Sequence, residues 1–274
     1  MSLLLHGDCL EHLHSVDDNS VDLIFCDLPY GQTSCSWDCK IDLTKLWEHF
    51  MRIKKLHTPL FFTTTTKFGC DLIQSAPKKC FFRYDLVWVK SAATGFLSAK
   101  RAPMRKHEMV YVFYEKLPLY DLSSHQHKFI KERDAGQKNG SVYGGEEGKK
   151  LMEGKYDPPL PTSVFHGEIK KEGQIYNGGK PMKVVSDGQG PQYDPPLPTT
   201  MLEIKSTRGK HSTEKPVALM SWILKYYSKE GDVVLDPTMG SGSTGVACKE
   251  MNRNFIGIEQ DPEIYEVAVN RIDN

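Results

Sequence analysis

The chain has 274 residues; 35 are Lys or Arg and 35 are Asp or Glu, so the formal net charge is zero. With 39% hydrophobic and 26% charged residues, the composition is that of a globular protein and excludes a disordered tail, a collagen-like repeat and a small disulfide scaffold. Zero net charge argues against nucleic-acid binding driven by total charge, but a local basic patch can still provide it.

Leu3, Leu4 and Leu5 open the chain with no basic residue before them, and His6 and Asp8 interrupt the run. No secretory leader is expected there, and no apolar run approaches the roughly 20 residues that span a bilayer. Residues 21–26 read as a buried strand and 60–65 as another. Leu43, Leu46, Trp47, Phe50 and Ile53 recur between them at helical spacing, so strand, helix and strand predict a parallel βαβ unit. Two more strands are expected over 85–89 and 109–114. The seven cysteines are odd in number and scattered. Cys26 and Cys248 fall in apolar patterns where thiols are usually buried, and Cys35 and Cys39 lack a second ligand pair at zinc spacing. A reducing, cytoplasmic setting with no metal and no membrane partner is expected.

Residues 120–202 differ in texture, being rich in Gly, Pro, Lys and Ser with weak periodicity. The heptapeptide Tyr-Asp-Pro-Pro-Leu-Pro-Thr occurs at 156–162 and again at 193–199, which reads as a local duplication rather than a solenoid. So long a stretch is not an idle loop. From 203 the α/β pattern returns. Thr213 is expected to cap a helix with Pro216 in its first turn and Val217, Met220, Ile223, Leu224 and Tyr227 on its apolar face. A strand over 233–235, a helix over 243–251, a strand over 255–258 and a last helix capped by Asp261-Pro262 follow.

Gly240, Gly242 and Gly245 match G-x-G-x-x-G between a strand and a helix, and Glu259 ends the next strand nineteen residues after Gly240. That combination is the pattern of a nucleotide-binding turn with an acid for ribose hydroxyls. Only fifteen residues follow Glu259, so the remaining strands must come from before 119 and the sheet is expected to be circularly permuted. Asp236 ends the strand ahead of the glycines. A carboxylate there suits a ligand with a cationic amino group better than a pyrophosphate, which points to S-adenosyl-L-methionine and away from a nicotinamide dinucleotide.

Asp27-Leu28-Pro29-Tyr30 follows the strand 21–26, at the strand end where α/β folds bind ligands. The lone pair of an exocyclic amine such as adenine N6 is delocalised into the ring and is a poor nucleophile. Asp27 can accept one N–H and the Leu28 carbonyl the other, so that the lone pair points at a methyl donor. Pro29 stiffens the turn, and Tyr30 offers a face to a base taken out of the duplex. The Asp-Pro-Pro-Leu segments at 157–160 and 194–197 lack the aromatic and a preceding strand, and are set aside.

With these residues in view, the chain resembles the permuted (β-class) DNA amino-methyltransferases, close to phage and bacterial site-specific adenine methylases. The resemblance runs through Gly7-Asp8, Asp27-Leu28-Pro29-Tyr30-Gly31, Trp37-Asp38, Trp88-Val89-Lys90 and His107-Glu108. It continues through His211-Ser212-Thr213-Glu214-Lys215-Pro216, Leu235-Asp236-Pro237, Gly240-Ser241-Gly242 and Phe255-Ile256-Gly257-Ile258-Glu259. It covers most of the chain except about 120–202. It implies a Rossmann-like α/β sheet dependent on S-adenosylmethionine, with 1–119 as catalytic half, 120–202 as inserted target-recognition region and 203–274 as cofactor half. It also implies that Asp27, Leu28, Pro29 and Tyr30 act on the target base. Asp236, Thr238, Gly240, Ser241, Gly242 and Ser243 would line the cofactor and Glu259 would hold its ribose. Asp8 with Cys9 would face its adenine, and Lys215 would lie in the segment closing over its methionine end. Leu28 stands where the family usually has Pro, Ser212 where Pro is usual, and Thr238 where Phe is frequent.

The acidic first residue of the tetrapeptide favours adenine N6 over cytosine N4. Cytosine C5 chemistry, which needs a cysteine commonly placed after Pro, is rejected because the chain has no Pro-Cys. Lys100, Arg101, Arg105, Lys106 and His107 form a basic cluster between two predicted strands that can hold phosphates, with Lys90 reaching the same groove. Double-stranded DNA is the expected partner, with a second copy of the chain and a cognate restriction nuclease as further candidates. A cytosine-N4 enzyme and a non-catalytic, cofactor-linked DNA-binding module are the alternatives.

Overall fold

The computed structural model describes residues 2–30, 41–124, 126–133, 151–157, 164–166 and 215–273. They divide into two compact units, Met1–Leu119 with Ser163–Asn274, and Tyr120–Thr162.

The first unit is built on an eight-stranded sheet. Its strands are β1 (Ser2–His6), β2 (Leu23–Cys26), β3 (Leu60–Thr64), β4 (Phe81–Thr94), β5 (Arg105–Tyr114), β8 (Val164–His166), β9 (Val233–Asp236) and β10 (Asn254–Glu259). They lie in the order β1-β10-β9-β2-β3-β5-β4-β8. The first five in that order run parallel, with Leu3 opposite Ile256, Ile256 opposite Leu235, Ile24 opposite Leu235, and Phe61 opposite Phe25. β5 is antiparallel to β3 and β4, and β8 parallel to β4. Apart from the edge strand β8, the strands completing the sheet around β9 and β10 come from before residue 119.

The helices cover both faces. Alternate residues of a strand point to opposite sides, so Ile24, Cys26, Leu60, Phe62 and Leu235 share one core. On that face pack α1 (Cys9–His12), α2 (Leu43–Ile53) and α3 (Thr66–Ser75). The expected stripe of α2 is the buried one, with Leu46, Trp47, Phe50 and Ile53 all at 3% exposure or less. Asp42 caps the helix by accepting from the Thr44 and Lys45 amides, a contribution of about 1 kcal/mol. Phe61 points to the opposite face, against Tyr227 of α4 (Val217–Tyr227) at 5.0 Å between ring centroids. α5 (Ser243–Glu250) and α6 (Pro262–Asp273) continue that layer, and Asp261 caps α6 on the Glu263 and Ile264 amides. Helices before β3 lie on one face and those flanking β9 on the other, so the topological switch falls between β2 and β9, where open α/β sheets bind ligands.

Several expectations need correction. β1 is a full strand of the sheet, and α3 went unread. α4 starts at Val217 with Pro216 at its N-cap; Leu219 and Tyr226 are buried on it with Met220, Ile223, Leu224 and Tyr227, whereas Val217 is only half-buried, and Thr213 lies outside the described residues. In the second unit, β6 (Gln126–Arg133) and β7 (Leu151–Asp157) form an antiparallel hairpin. Asp157 therefore ends a strand, though not one of the main sheet. β8, from the stretch expected to be an insert, pairs with β4 in the first unit. The second heptapeptide, Cys35, Cys39, Trp37-Asp38 and 211–214 lie outside the described residues.

Candidate active site

The parallel strands β1, β10, β9, β2 and β3 all end at one edge, which brings Asp8, Glu259, Asp236, Asp27 and Thr63 to the same side of the sheet. Asp27 leaves β2 there with both carboxylate oxygens engaged. Oδ1 accepts from the Thr63 hydroxyl and from the Tyr30 hydroxyl at 3.2 Å; Oδ2 accepts from Lys215 Nζ at 2.6 Å. Tyr30 leans its ring on Phe68, 5.3 Å between centroids, and burial, then the Asp27 charge, push its phenol far above the ordinary range. Tyr30 is therefore a neutral donor. Leu28 is 3% exposed and belongs to the core under α1–α3. A buried apolar side chain thus stands where the family usually has Pro.

Lys215 bridges two acids. Its Nζ is 3.6 Å from Glu108 Oε2, whose other oxygen is paired with Lys90. Burial pulls the Lys215 pKa down, but the Asp27 and Glu108 carboxylates outweigh it and the net shift is upward. Lys215 is therefore an ammonium at neutral pH. Glu108 Oε2 is buried and receives no hydrogen bond among the described residues.

The loop after β9 is held from inside. Asp236, 2% exposed, accepts the Thr238 amide on Oδ1 at 3.1 Å and the Thr244 hydroxyl on Oδ2 at 2.6 Å. Glu259 accepts the Gly240 amide at 2.9 Å and the Asp261 amide at 2.8 Å. The three glycines of the motif do different work. Gly240 has φ +52 and would meet nothing within 4 Å if it carried a Cβ, whereas a Cβ at Gly242 or Gly245 would strike α6, and at Gly245 Phe255 as well. Only the first glycine opens onto space; the other two let α5 and α6 approach. The Ser241 side chain and carbonyl are bound by Arg271, and Ser243 is buried at the start of α5. Thr238 has a buried hydroxyl with no hydrogen-bond partner among the described residues. Asp8 caps α1 through the Leu10 amide, next to the Gly7 amide bound to the Glu259 carbonyl.

Burial, then the Asp8 charge, raise the Cys9 thiol to about 12, and burial raises Cys26 as well. Neither supplies a thiolate at neutral pH. The Asp236 carboxyl is pushed up to about 7, mainly by burial and further by the Asp27 and Glu259 charges, against the lowering hydrogen bonds of Thr244 and Thr238. An acid that binds its proton more tightly when folded contributes stability at low pH and loses it as pH rises from the unfolded to the folded value. Asp236→Asn is therefore expected to gain on the parent between about pH 4 and pH 7, by on the order of 3 kcal/mol at most. Denaturant melts of both proteins across that range check this; a constant difference would contradict it.

The sequence-predicted basic residues divide. Lys100 and Arg101 are exposed at the β4–β5 turn and Arg105 is exposed at the start of β5, while Lys106 and His107 follow on β5 and Lys90 is occupied by Glu108. Thr63 and the partnership of Glu108 with Lys215 were missed. The run of four threonines at 63–66 closing a buried strand was a readable sign of the first.

A sequence profile of the DNA methylase family matches residues 21–270, and the chain belongs to that family. Among curated relatives, the type II methyltransferase M2.DpnII of Streptococcus pneumoniae is 34% identical over 112 residues, 41% of each chain. The type II methyltransferase M.HindIII of Haemophilus influenzae is 48% identical over 65 residues, 24% of this chain and 21% of that one. The chain thus spans less than half the length of these relatives. The fold is that of solved DNA methyltransferases. The complex of M1.HpyAVI with SAM matches at 20% identity and TM-score 0.57, covering 99% of this chain and all of that one. The cytosine-N4-specific PvuII DNA methyltransferase matches at 13% identity and TM-score 0.59, covering 98% and 86%.

Proposed function

We propose that the protein is a site-specific DNA methyltransferase that moves the methyl group of S-adenosylmethionine to adenine N6 in duplex DNA, after flipping the base. The observation that carries this reading is Asp27: a carboxylate at the switch point, pinned through Oδ1, with Oδ2 facing a nitrogen donor at 2.6 Å. Lys215 holds the place that the target amine would take.

The cofactor fits the residues present. The buried Thr238 hydroxyl lacks a partner, and Gly240 leaves open space beside Glu259. Thr238, the Gly240 backbone and Glu259 would hold it, with Asp8 and Cys9 toward its base, while Asp236 shapes the loop from inside. When bound, it supplies a methyl on a sulfonium, which makes the transfer a direct displacement. The protein then contributes mainly positioning. Asp27 Oδ2 accepts one N–H of the target amine and the Leu28 carbonyl the other. Asp27 then takes the proton that the nitrogen sheds after methylation. The buried Leu28 side chain leaves only its backbone to this task, which explains how Leu can replace Pro. As the amine arrives, Lys215 moves from Asp27 to Glu108 Oε2, 3.6 Å away and otherwise unbonded.

Chain order supports the permuted class: β9 and β10 close the chain yet lie between β1 and β2. The region 120–202 is proposed to read the target sequence. A cognate restriction nuclease, a homodimer and a cytoplasmic setting belong to the same proposal. No helix among the described residues is long and apolar enough to cross a membrane.

Methyl-labelled cofactor incubated with mixed-sequence duplex, followed by nucleoside analysis, tests the proposal. N6-methyladenine is expected. N4-methylcytosine would move the reading to the alternative amine, and no methylated nucleoside with retained DNA binding would leave a non-catalytic module. Sequencing the modified sites would give the recognition sequence.

A further inference from the structure

The β4–β5 hairpin carries the most exposed large apolar pair of the described residues. Leu97 is 101% exposed and Phe96 74%, at the tip. Side chains this bare on a floppy loop would say little, but this tip is ordered by its backbone. Gly95, at φ +91, starts a 3-10 turn over Phe96–Ser98. The Ser98 amide donates to the Gly95 carbonyl and the Ala99 amide to Phe96, while the Arg101 and Ala102 amides both donate to Ser98. Ala99 is 8% exposed and folds under the turn, and the Thr94 hydroxyl closes its base on the Arg105 carbonyl. From Gly95 to Lys106 there are four cations and no acid; Lys100, Arg101 and Arg105 are exposed.

The hairpin rises from the same edge as Asp27. Met109 of β5 pairs with Thr64, the last residue of β3, so residues 105–108 run on past the end of the parallel strands. Glu108 is 3.6 Å from the Lys215 ammonium that binds Asp27. Three residues further along β5, about 10 Å at strand rise, stands Arg105, and the turn lies beyond it.

We infer that this tip is a DNA wedge: Phe96 and Leu97 enter the base stack where the target nucleotide leaves it, while Lys100, Arg101 and Arg105 hold the flanking phosphates. The inference rests on the proposed duplex substrate and deepens it. A base extruded from a duplex leaves a gap beside an unpaired partner, and extrusion costs the stacking of one nucleotide. Apolar side chains inserted at a base step are a known way to hold such a distortion open, and a cationic collar is complementary to the backbone that flanks it. Neither side chain is part of the core, so removing both leaves the folded protein intact.

The test is the double variant Phe96→Ser/Leu97→Ser in the full chain, assayed on two DNAs. One carries the target adenine in a fully paired duplex; the other carries it opposite an abasic site, where no partner base remains to be separated. The variant is expected to lose about tenfold or more in kcat/KM on the paired duplex and to match the parent on the abasic one. With 2-aminopurine at the target position, the parent should raise its fluorescence on binding and the variant should not. Equal losses on both DNAs, or none on the paired duplex, overturn the wedge. So does an unchanged paired-duplex rate with a dimer-to-monomer shift, which would assign the tip to contact between copies. If the parent methylates neither DNA, the underlying reading fails instead.

Discussion

Asp27→Ala is expected to abolish methyl transfer, by about a thousandfold or more in single turnover, while cofactor affinity changes by only a few fold. The magnitude follows from what the side chain does. A preorganised polar group aimed at a reacting atom commonly accounts for two to three orders of magnitude in rate, and in the proposed mechanism Asp27 also receives the departing proton. Its position is enforced independently of substrate: the Thr63 hydroxyl and the Tyr30 hydroxyl hold Oδ1 from two elements. The residues proposed to hold the cofactor, Glu259, Gly240 and Thr238, lie on β10 and the loop after β9, and their hydrogen bonds run to other partners than Asp27. Alanine would leave Lys215 with Glu108 alone, so Asp27→Asn is the companion variant: it keeps an acceptor oxygen and removes the charge. Asn is expected to retain more activity than Ala. Rapid-quench methylation with titration of S-adenosylmethionine binding gives both quantities. A parental rate in Asp27→Ala would remove Asp27 from the mechanism.

How much of this was readable depended on whether the information was local. α2 could be placed because its apolar residues recur at helical spacing, β2, β9 and β10 because they are short apolar runs bounded by turn residues, and α5 because the glycine motif opens it. β1 escaped because Leu3, Leu4 and Leu5 run without alternation, and the strand sits at the sheet edge with no residue fully buried. α3 escaped because its buried stripe is only Phe68, Gly69 and Leu72. The glycine among them looks like a breaker, but is needed because the Tyr111 ring would lie 2.4 Å from a Cβ there. The tetrapeptide and the glycine loop were legible as motifs, and the strand order brings both to one edge. The division of labour among the glycines was not legible, since the contacts of Gly242 and Gly245 with α6 are set by tertiary packing. The bond of Lys215 to Asp27 has no local signature, because it spans 188 residues of chain. Glu108 had no local signature beyond being the acid beside a basic cluster.

That acid gives the second large effect. Glu108→Gln is expected to lower kcat/KM for DNA by about 10- to 100-fold, the range expected for losing a charged hydrogen-bond partner, with the S-adenosylmethionine dissociation constant unchanged. The reason is competition. Lys215 binds the carboxylate oxygen that the target amine reaches in the proposed mechanism, so there its ammonium has to move as the base arrives. In the parent, Glu108 Oε2 waits 3.6 Å away, buried and without a hydrogen bond. A neutral Gln makes the departure costly and leaves the cation on Asp27. In the parent both carboxylates favour the charged form of Lys215, so the group that must move aside is an ammonium. The double variant Glu108→Gln/Lys215→Met separates this account from simple damage to the site. With no cation to displace, it should recover activity relative to Glu108→Gln alone, a non-zero coupling where two independent lesions would simply add. Lys90, 22% exposed at its side chain and able to bond to the Gln amide oxygen, keeps the local fold in both proteins. If the double variant is as slow as the single one, or slower, Glu108 supports the site only as structure and Lys215 has another task.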